Sequence, residues 1–270
     1  MVAAERVAAT VAQGVHGRRR VGQGDSFWQF RPFVPGDPTS RIDWRISAKS
    51  DRAFIRETEW EAAQTVALWA DGSARMGWRS REAMTDKRER AALLLLALAS
   101  LLLRGGERVL LMQSDARPVA GRGGLDRLAA LMAGGDQKAN ETGLPPRIML
   151  PRHAKLVLFG DFLSPLEDIQ AAIARLAAVP VTGHLLQVLD PAEAELPYTG
   201  RVRFRGVSLE ADALIPRVET VRDEYTRRLA QHQAGLAAIS AAAGFSFAVH
   251  RTDHAPAAAL LGLYTALAPL

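Results

Sequence analysis

The chain has 270 residues, 48% of them hydrophobic, enough for a sizeable core in one large or two modest domains. It contains no cysteine, which excludes a disulfide scaffold, a thiolate metal site and a catalytic thiol, and nothing asks for an oxidising compartment. Basic residues exceed acidic ones by 5 (34 against 29) and nearly all are arginine, which permits an anionic partner but also fits a coding habit.

The longest apolar stretch, Ala91 to Leu103 between Arg90 and Arg104, falls short of the roughly 20 residues that span a bilayer and reads as a buried helix. The amino terminus has neither the basic region nor the unbroken apolar run of a signal peptide, so the expected location is cytoplasmic. Residues 1–60 hold Trp28, Trp44 and Trp60, turn-forming Gly and Pro, and strand-like runs at Ser26 to Phe33 and Ala53 to Glu59. They read as a short helix and a small β-rich subdomain, separate from an α/β domain over 61–270.

In that second domain short β-branched and Leu-rich runs alternate with longer Ala/Leu-rich stretches, the pattern of a mostly parallel sheet with helices on both faces. Strands are predicted at Thr65 to Ala70, Arg108 to Gln113, Lys155 to Gly160, Thr182 to Leu189 and Phe245 to His250, with a half-exposed one where Val202 and Phe204 alternate with Arg201, Arg203 and Arg205. Helices are predicted at Thr85 to Arg104, Leu125 to Ala133, Ser164 to Ala178 and Ala257 to Ala268, and a long one opens at Pro216 and ends before Gly244. Ser164, Pro165 and Glu167 form a candidate capping box.

Ligands of open α/β sheets bind beyond the carboxyl ends of the strands. Two aspartates stand at such ends, Asp71 in Asp71-Gly-Ser-Ala-Arg-Met76 and Asp161 in Gly160-Asp-Phe-Leu-Ser164. Paired carboxylates with hydroxyls nearby suit hard cations such as Mg²⁺ or Mn²⁺, although each aspartate could simply cap the next helix. In the first domain, Val34-Pro-Gly-Asp37 has the chemistry of a tight turn, and Asp37-Pro38 reads as the cap and first residue of one helical turn presenting Arg41, Asp43 and Trp44. Those three residues are expected to form either a buried Arg/Asp network over a packed Trp44 or a docking face.

The run Gly24 to Asp37, the run Arg41-Ile-Asp-Trp-Arg-Ile-Ser-Ala48 and Phe54-Ile-Arg-Glu-Thr-Glu59 together resemble the hallmark block of the domain of unknown function 58 family. Asp71-Gly-Ser resembles the metal-ion-dependent adhesion motif of von Willebrand factor A domains. The resemblance implies a von Willebrand factor A-like fold and a non-enzymatic adaptor that works with a MoxR-type AAA+ ATPase on a client protein. It also implies that Asp71, Ser73 and Asp161 are the metal ligands. These three with Arg75, and the candidate docking face of Arg41, Asp43 and Trp44, are the expected partner contacts. Arg75 stands where the motif has its second serine, and Ala120 to Gly124 lacks the expected threonine. Any Mg²⁺ or Mn²⁺ is therefore expected to be weakly held or missing, its charge replaced by Arg75 paired with Asp71 or Asp161.

Other patterns are weaker. An alternative function is a metal-dependent phosphatase-like hydrolase using Asp71 and Asp161, but Ser73 stands where such enzymes carry a general acid. Nucleic-acid binding through Arg18 to Arg20 and the Arg201/Arg203/Arg205 face is a third reading. His250, Asp253 and His254 have metal-ligand composition without a shared helix face.

Overall fold

The computed structural model describes residues 1–15, 27–50, 52–58, 63–112, 117–121, 123–134, 142–207 and 211–267. They fall into two compact units, residues 17–63 and residues 1–16 together with 64–270. Helix α1 (Val2–Val15) therefore belongs with the α/β unit and not with the small subdomain expected to begin at residue 1. Its Ala4, Ala8 and Val11, at spacings of four and three, are buried in the same core as Leu94 and Leu98, which explains the assignment.

The small unit is an antiparallel hairpin of β1 (Phe27–Pro32) and β2 (Phe54–Thr58), with the short helix α2 (Trp44–Ser47) in the connection. Gly36 adopts φ +112°, as the tight turn requires. Asp37 is not a helix cap. Its carboxylate accepts from both terminal nitrogens of Arg31 at 2.6 and 2.7 Å and from the Val34 amide at 2.9 Å, and the 3₁₀ turn that follows, Thr39–Arg41, has Pro38 before it as an extended flanking residue and no side-chain cap. Asp43 is the cap instead, accepting from the Arg45 and Ile46 amides at the start of α2.

The larger unit continues with β3 (Thr65–Ala70), α3 (Lys87–Arg104), β4 (Arg108–Leu111), α4 (Gly124–Gly134), β5 (Lys155–Gly160) and α5 (Leu166–Leu176). After these come β6 (Thr182–Leu189), α6 (Pro191–Glu195), the hairpin of β7 (Val202–Phe204) and β8 (Ala213–Ile215), α7 (Arg222–Ala242), β9 (Phe245–Arg251) and α8 (Pro256–Leu267). The main sheet is parallel, in the order β4-β3-β5-β6-β9. An isolated antiparallel bridge joins Val109 to Val119. With that bridge counted as a shrunken third strand, the order is the doubly wound 3-2-1-4-5-6.

Period-two alternation sends β3 side chains to two cores: Val66 and Leu68 join α1, α3, α4 and α8, whereas Ala67 and Trp69 join α5 and α7. The fold is thus the expected α/β class, with helices on both faces of a mostly parallel sheet. The apolar run in α3 is a buried helix, and among the described residues no helix is long and apolar enough to cross a membrane. Strand order reverses between β3 and β5, so the loops after these two strands diverge and leave a crevice over their carboxyl ends.

Candidate functional site

Asp71 and Asp161 follow β3 and β5 directly and flank that crevice; both are essentially inaccessible, at 1% and 0% exposure. Asp71 donates its amide to the Phe159 carbonyl, and its Oδ1 accepts from the Ser73 amide at 2.7 Å. Asp161 Oδ1 accepts from the Leu163 amide at 3.2 Å, and its carbonyl takes a hydrogen bond of 2.8 Å from Gln187 Nε2 on β6.

The loop after β5 is strained. Phe162 has φ +48°, a rare conformation for a bulky residue, and its ring is buried beside Trp69 at a centroid distance of 6.2 Å. Side chains of α7 hold it there. His232 Nε2 lies 2.6 Å from the Phe162 carbonyl, and since a carbonyl only accepts, that nitrogen carries the proton. Gln233 donates to Gln187 at 3.0 Å and so steadies the Asp161 carbonyl from behind.

The cation at the centre of this arrangement is Lys87, in the first turn of α3. Its Nζ is fully buried, 3.3 Å from Asp161 Oδ2 and 2.5 Å from Glu193 Oε1. Glu193 is presented by a capping box at the start of α6: its Oε2 accepts from the Asp190 amide at 2.9 Å, and the Asp190 side chain caps Ala192 and reaches Ser80. Arg75 adds a second cation, with Nε 3.6 Å from Asp161 Oδ2 and Nη2 donating to Ser164 Oγ at 3.0 Å. Of the two carboxylates expected to receive Arg75, Asp161 is the one at ion-pair distance. Ser164 accepts this bond and caps nothing; Pro165 precedes α5 without a side-chain cap, so the predicted capping box is absent.

Burial raises the Asp71 carboxyl above its ordinary value, with the neighbouring Asp161 charge adding to the rise and Ser73 opposing it. Burial likewise raises Glu193, against the pull of Lys87. Asp71 Oδ2 and Ser73 Oγ are buried without a hydrogen-bond partner. They lie under Gly143, from the long loop before β5. A β-carbon there would stand 3.2 Å from Asp71 Oδ2, 3.6 Å from Ser73 Oγ and 2.6 Å from Arg75 Nη2, and the φ of +65° also demands glycine. The loop that closes the site thus comes from after α4, not from Ala120 to Gly124.

These residues do not fit a divalent metal. Hard cations want six or more oxygens, whereas here Asp161 Oδ2 faces an ammonium and a guanidinium, and only Asp71 Oδ2 and Ser73 Oγ remain unused. Among the described residues no cluster of three or more metal-ligating side chains occurs elsewhere. His250 Nε2 faces Arg90 Nη1 at 3.1 Å and Asp253 pairs with Arg251, so the carboxyl-terminal histidine group is a structural network.

Of the remaining predicted residues, Trp44 is 68% exposed, so it does not pack beneath an Arg/Asp network, and Asp43 is engaged in capping α2. The Arg41 side chain, Trp60 and Arg18 to Arg20 lie outside the described residues. Lys87, Glu193 and Gly143 were not anticipated. One signal was available: Lys87, Arg88 and Arg90 crowd the amino-terminal turn of α3, against the preference of the helix dipole, and such cations need local anions.

Fold and site together define a doubly wound α/β protein with buried aspartates at two strand ends, one of them, Asp161, paired internally with lysine and arginine. Residues 29–235 match the model of the protein family of unknown function DUF58, and the chain belongs to that family. It is 28% identical over 253 residues to the uncharacterized proteins Rv1480 of Mycobacterium tuberculosis and Mb1516 of Mycobacterium bovis, covering 86% of this chain and 76% of each relative. Among solved structures it is similar to the conserved hypothetical protein BatB from Bacteroides thetaiotaomicron, with 15% identity, TM-score 0.38, and 76% of this chain and 97% of that one covered. The SpRpn10 VWA domain gives 8% identity and TM-score 0.35, with coverage of 75% and 95%. At these scores neither structure says what this chain binds.

Proposed function

We infer that the protein is a non-enzymatic interaction module of the DUF58 family whose contact site lies over the carboxyl ends of β3 and β5. The observation that carries this is the buried charge cluster: among the described residues, the place where such a sheet receives its ligand holds no accessible nucleophile and no metal-ligand set, but fixed ion pairs on a strained loop. The partner we propose is a MoxR-type AAA+ ATPase, as the family resemblance implies, acting with this protein on a client. Asp71, Ser73, Arg75 and Asp161 set the shape of the contact loops, and Trp44, exposed with Asp43 behind it, offers a second contact on the small unit.

The phosphatase-like alternative requires Asp71 to attack a phosphate ester. A carboxyl that is 1% exposed and kept toward its neutral form by burial is a poor nucleophile. The test is chemical cross-linking of the purified chain with the MoxR-type ATPase of the same genome. A cross-linked complex that weakens in Asp71→Ala is expected; no complex, together with turnover of a generic phosphate ester in Mg²⁺, would overturn the reading.

A further inference from the structure

We propose that the cavity beside Asp161 receives one carboxylate side chain of a protein partner, gripped by Arg205 from the β7–β8 hairpin. This rests on the protein-interaction reading and adds the chemistry of the partner. The cavity has a volume of about 240 Å³. Trp78, Leu163, Phe204 and Val207 give it apolar walls, Arg75 and Arg205 contribute guanidinium groups, and Asp161 and Glu193 lie at its floor. That volume is below the roughly 300–1,000 Å³ of cofactor and drug-sized sites, so it suits a single side chain better than a nucleotide.

Charge decides what kind of side chain. The two floor carboxylates are matched by Lys87, which touches both, and by Arg75 next to Asp161, while burial holds the third carboxyl of the cluster, Asp71, toward its neutral form. Arg205 is the surplus: it is exposed, and among the described residues it has no ion pair. One unmatched cation over an apolar-walled cavity is complementary to one monoanion. A cationic side chain would meet Arg205, and a neutral one would leave that charge unanswered. The apolar walls strengthen such a pairing by excluding water around it.

A nucleic acid fits less well. It would need several cations along one face, and neither Arg201 nor Arg203 lines the cavity. Of the three hairpin arginines Arg205 is the one that lines the cavity. The mouth is also built for docking, since Leu163, exposed on the strained loop, and Val207, exposed on the hairpin, give apolar surface beside the charge.

The experiment uses fluorescein-labelled peptides carrying one Glu between Leu and Phe, a matched set with Gln in place of Glu, and a fluorescein-labelled single-stranded oligonucleotide, all read by anisotropy against the full chain. Binding of the Glu peptides with Kd below about 1 mM is expected. The Gln set and Arg205→Glu should each weaken it roughly tenfold, and Arg203→Glu should leave it unchanged. Equal binding of the Gln peptides, no binding of any acidic peptide, an equal loss in Arg203→Glu, or displacement of the peptide by the oligonucleotide would each overturn the proposal. Persistence of the ATPase cross-link in Arg205→Glu, alongside such a result, would remove this inference and leave the interaction reading standing.

Discussion

Among the described residues of the α/β unit, Lys87 and Arg251 each stand between two carboxylates. Lys87 stands 2.5 Å from Glu193 and 3.3 Å from Asp161, and Arg251 stands 2.5 Å from Glu195 and 2.7 Å from Asp253. By distance alone the Arg251 group is the tighter. Burial reverses the ranking. Lys87 and Asp161 have almost no exposed side-chain surface, whereas Arg251, Asp253 and Glu195 are 25%, 30% and 59% exposed. A charge stranded in the interior has no water to fall back on, so breaking the first group is costly and breaking the second is cheap.

The sharpest way to break this comparison is Lys87→Met. It leaves Asp161 buried with Arg75 at 3.6 Å as its remaining cation and should cost about 3–5 kcal/mol in a urea unfolding titration. A cost near that of an exposed pair would mean that Arg75 carries the compensation. Replacing both cations, Lys87→Ser with Arg75→Ser, should add Mn²⁺ binding by calorimetry, because Asp161 would then face Asp71 Oδ2 and Ser73 Oγ without a competing positive charge. Stoichiometric Mn²⁺ in the unmodified chain would contradict the internal-cation reading.

A second buried cation, Arg90, extends the comparison, since without a paired carboxylate its Nη atoms meet the Thr252 and His254 carbonyls and His250, while its Nε is buried without a partner. Arginine only donates, so His250 Nε2 must accept and its proton sits on Nδ1. Burial first, and then the Arg90 charge, push His250 down from 6.5 to about 4. The folded protein therefore binds fewer protons than the unfolded chain between those values. Stability should be complete above pH 6.5 and fall by about 3 kcal/mol as the pH drops to about 4. His250→Gln, which keeps an acceptor but cannot titrate, should flatten that limb of a pH–stability curve.

Smaller effects complete the series. Gly143→Ala should cost about 1–2 kcal/mol, from positive φ and from crowding against Arg75 and Asp71, and thermal unfolding would register it. A neutral outcome would show that the loop before β5 does not clamp the site. Arg251→Gln should change stability by less than about 1 kcal/mol in the same assay, the smallest shift of the set.

Much of the fold was readable in advance. Thr65–Ala70, Lys155–Gly160 and Thr182–Leu189 carry short continuous apolar runs between turn signals, and all three strands occur at the predicted bounds. The capping expectations at Ser164 and Asp37 failed for a shared reason. Each side chain had a competing claimant, Arg75 from 89 residues away for Ser164 and Arg31 from across the turn for Asp37, and a capping pattern does not register an arginine that folds back on the cap residue. Helix α1 was placed with the wrong unit because its small-residue stripe says that it packs, not against what.

The sequence by itself determined the alternation of strands and helices, the buried character of α3 and the position of Asp71 and Asp161 at strand ends, since these follow from periodicity and from the direction of a parallel sheet. Only the tertiary structure decided what surrounds those carboxylates. Lys87 and Glu193 are 106 residues apart, Arg75 and Ser164 are 89 apart, and Gly143 arrives from a loop with no periodic pattern. Which charge meets which in a low-dielectric interior depends on the packing of whole elements, and that packing turned a motif with the composition of a metal site into one balanced by the protein's own cations.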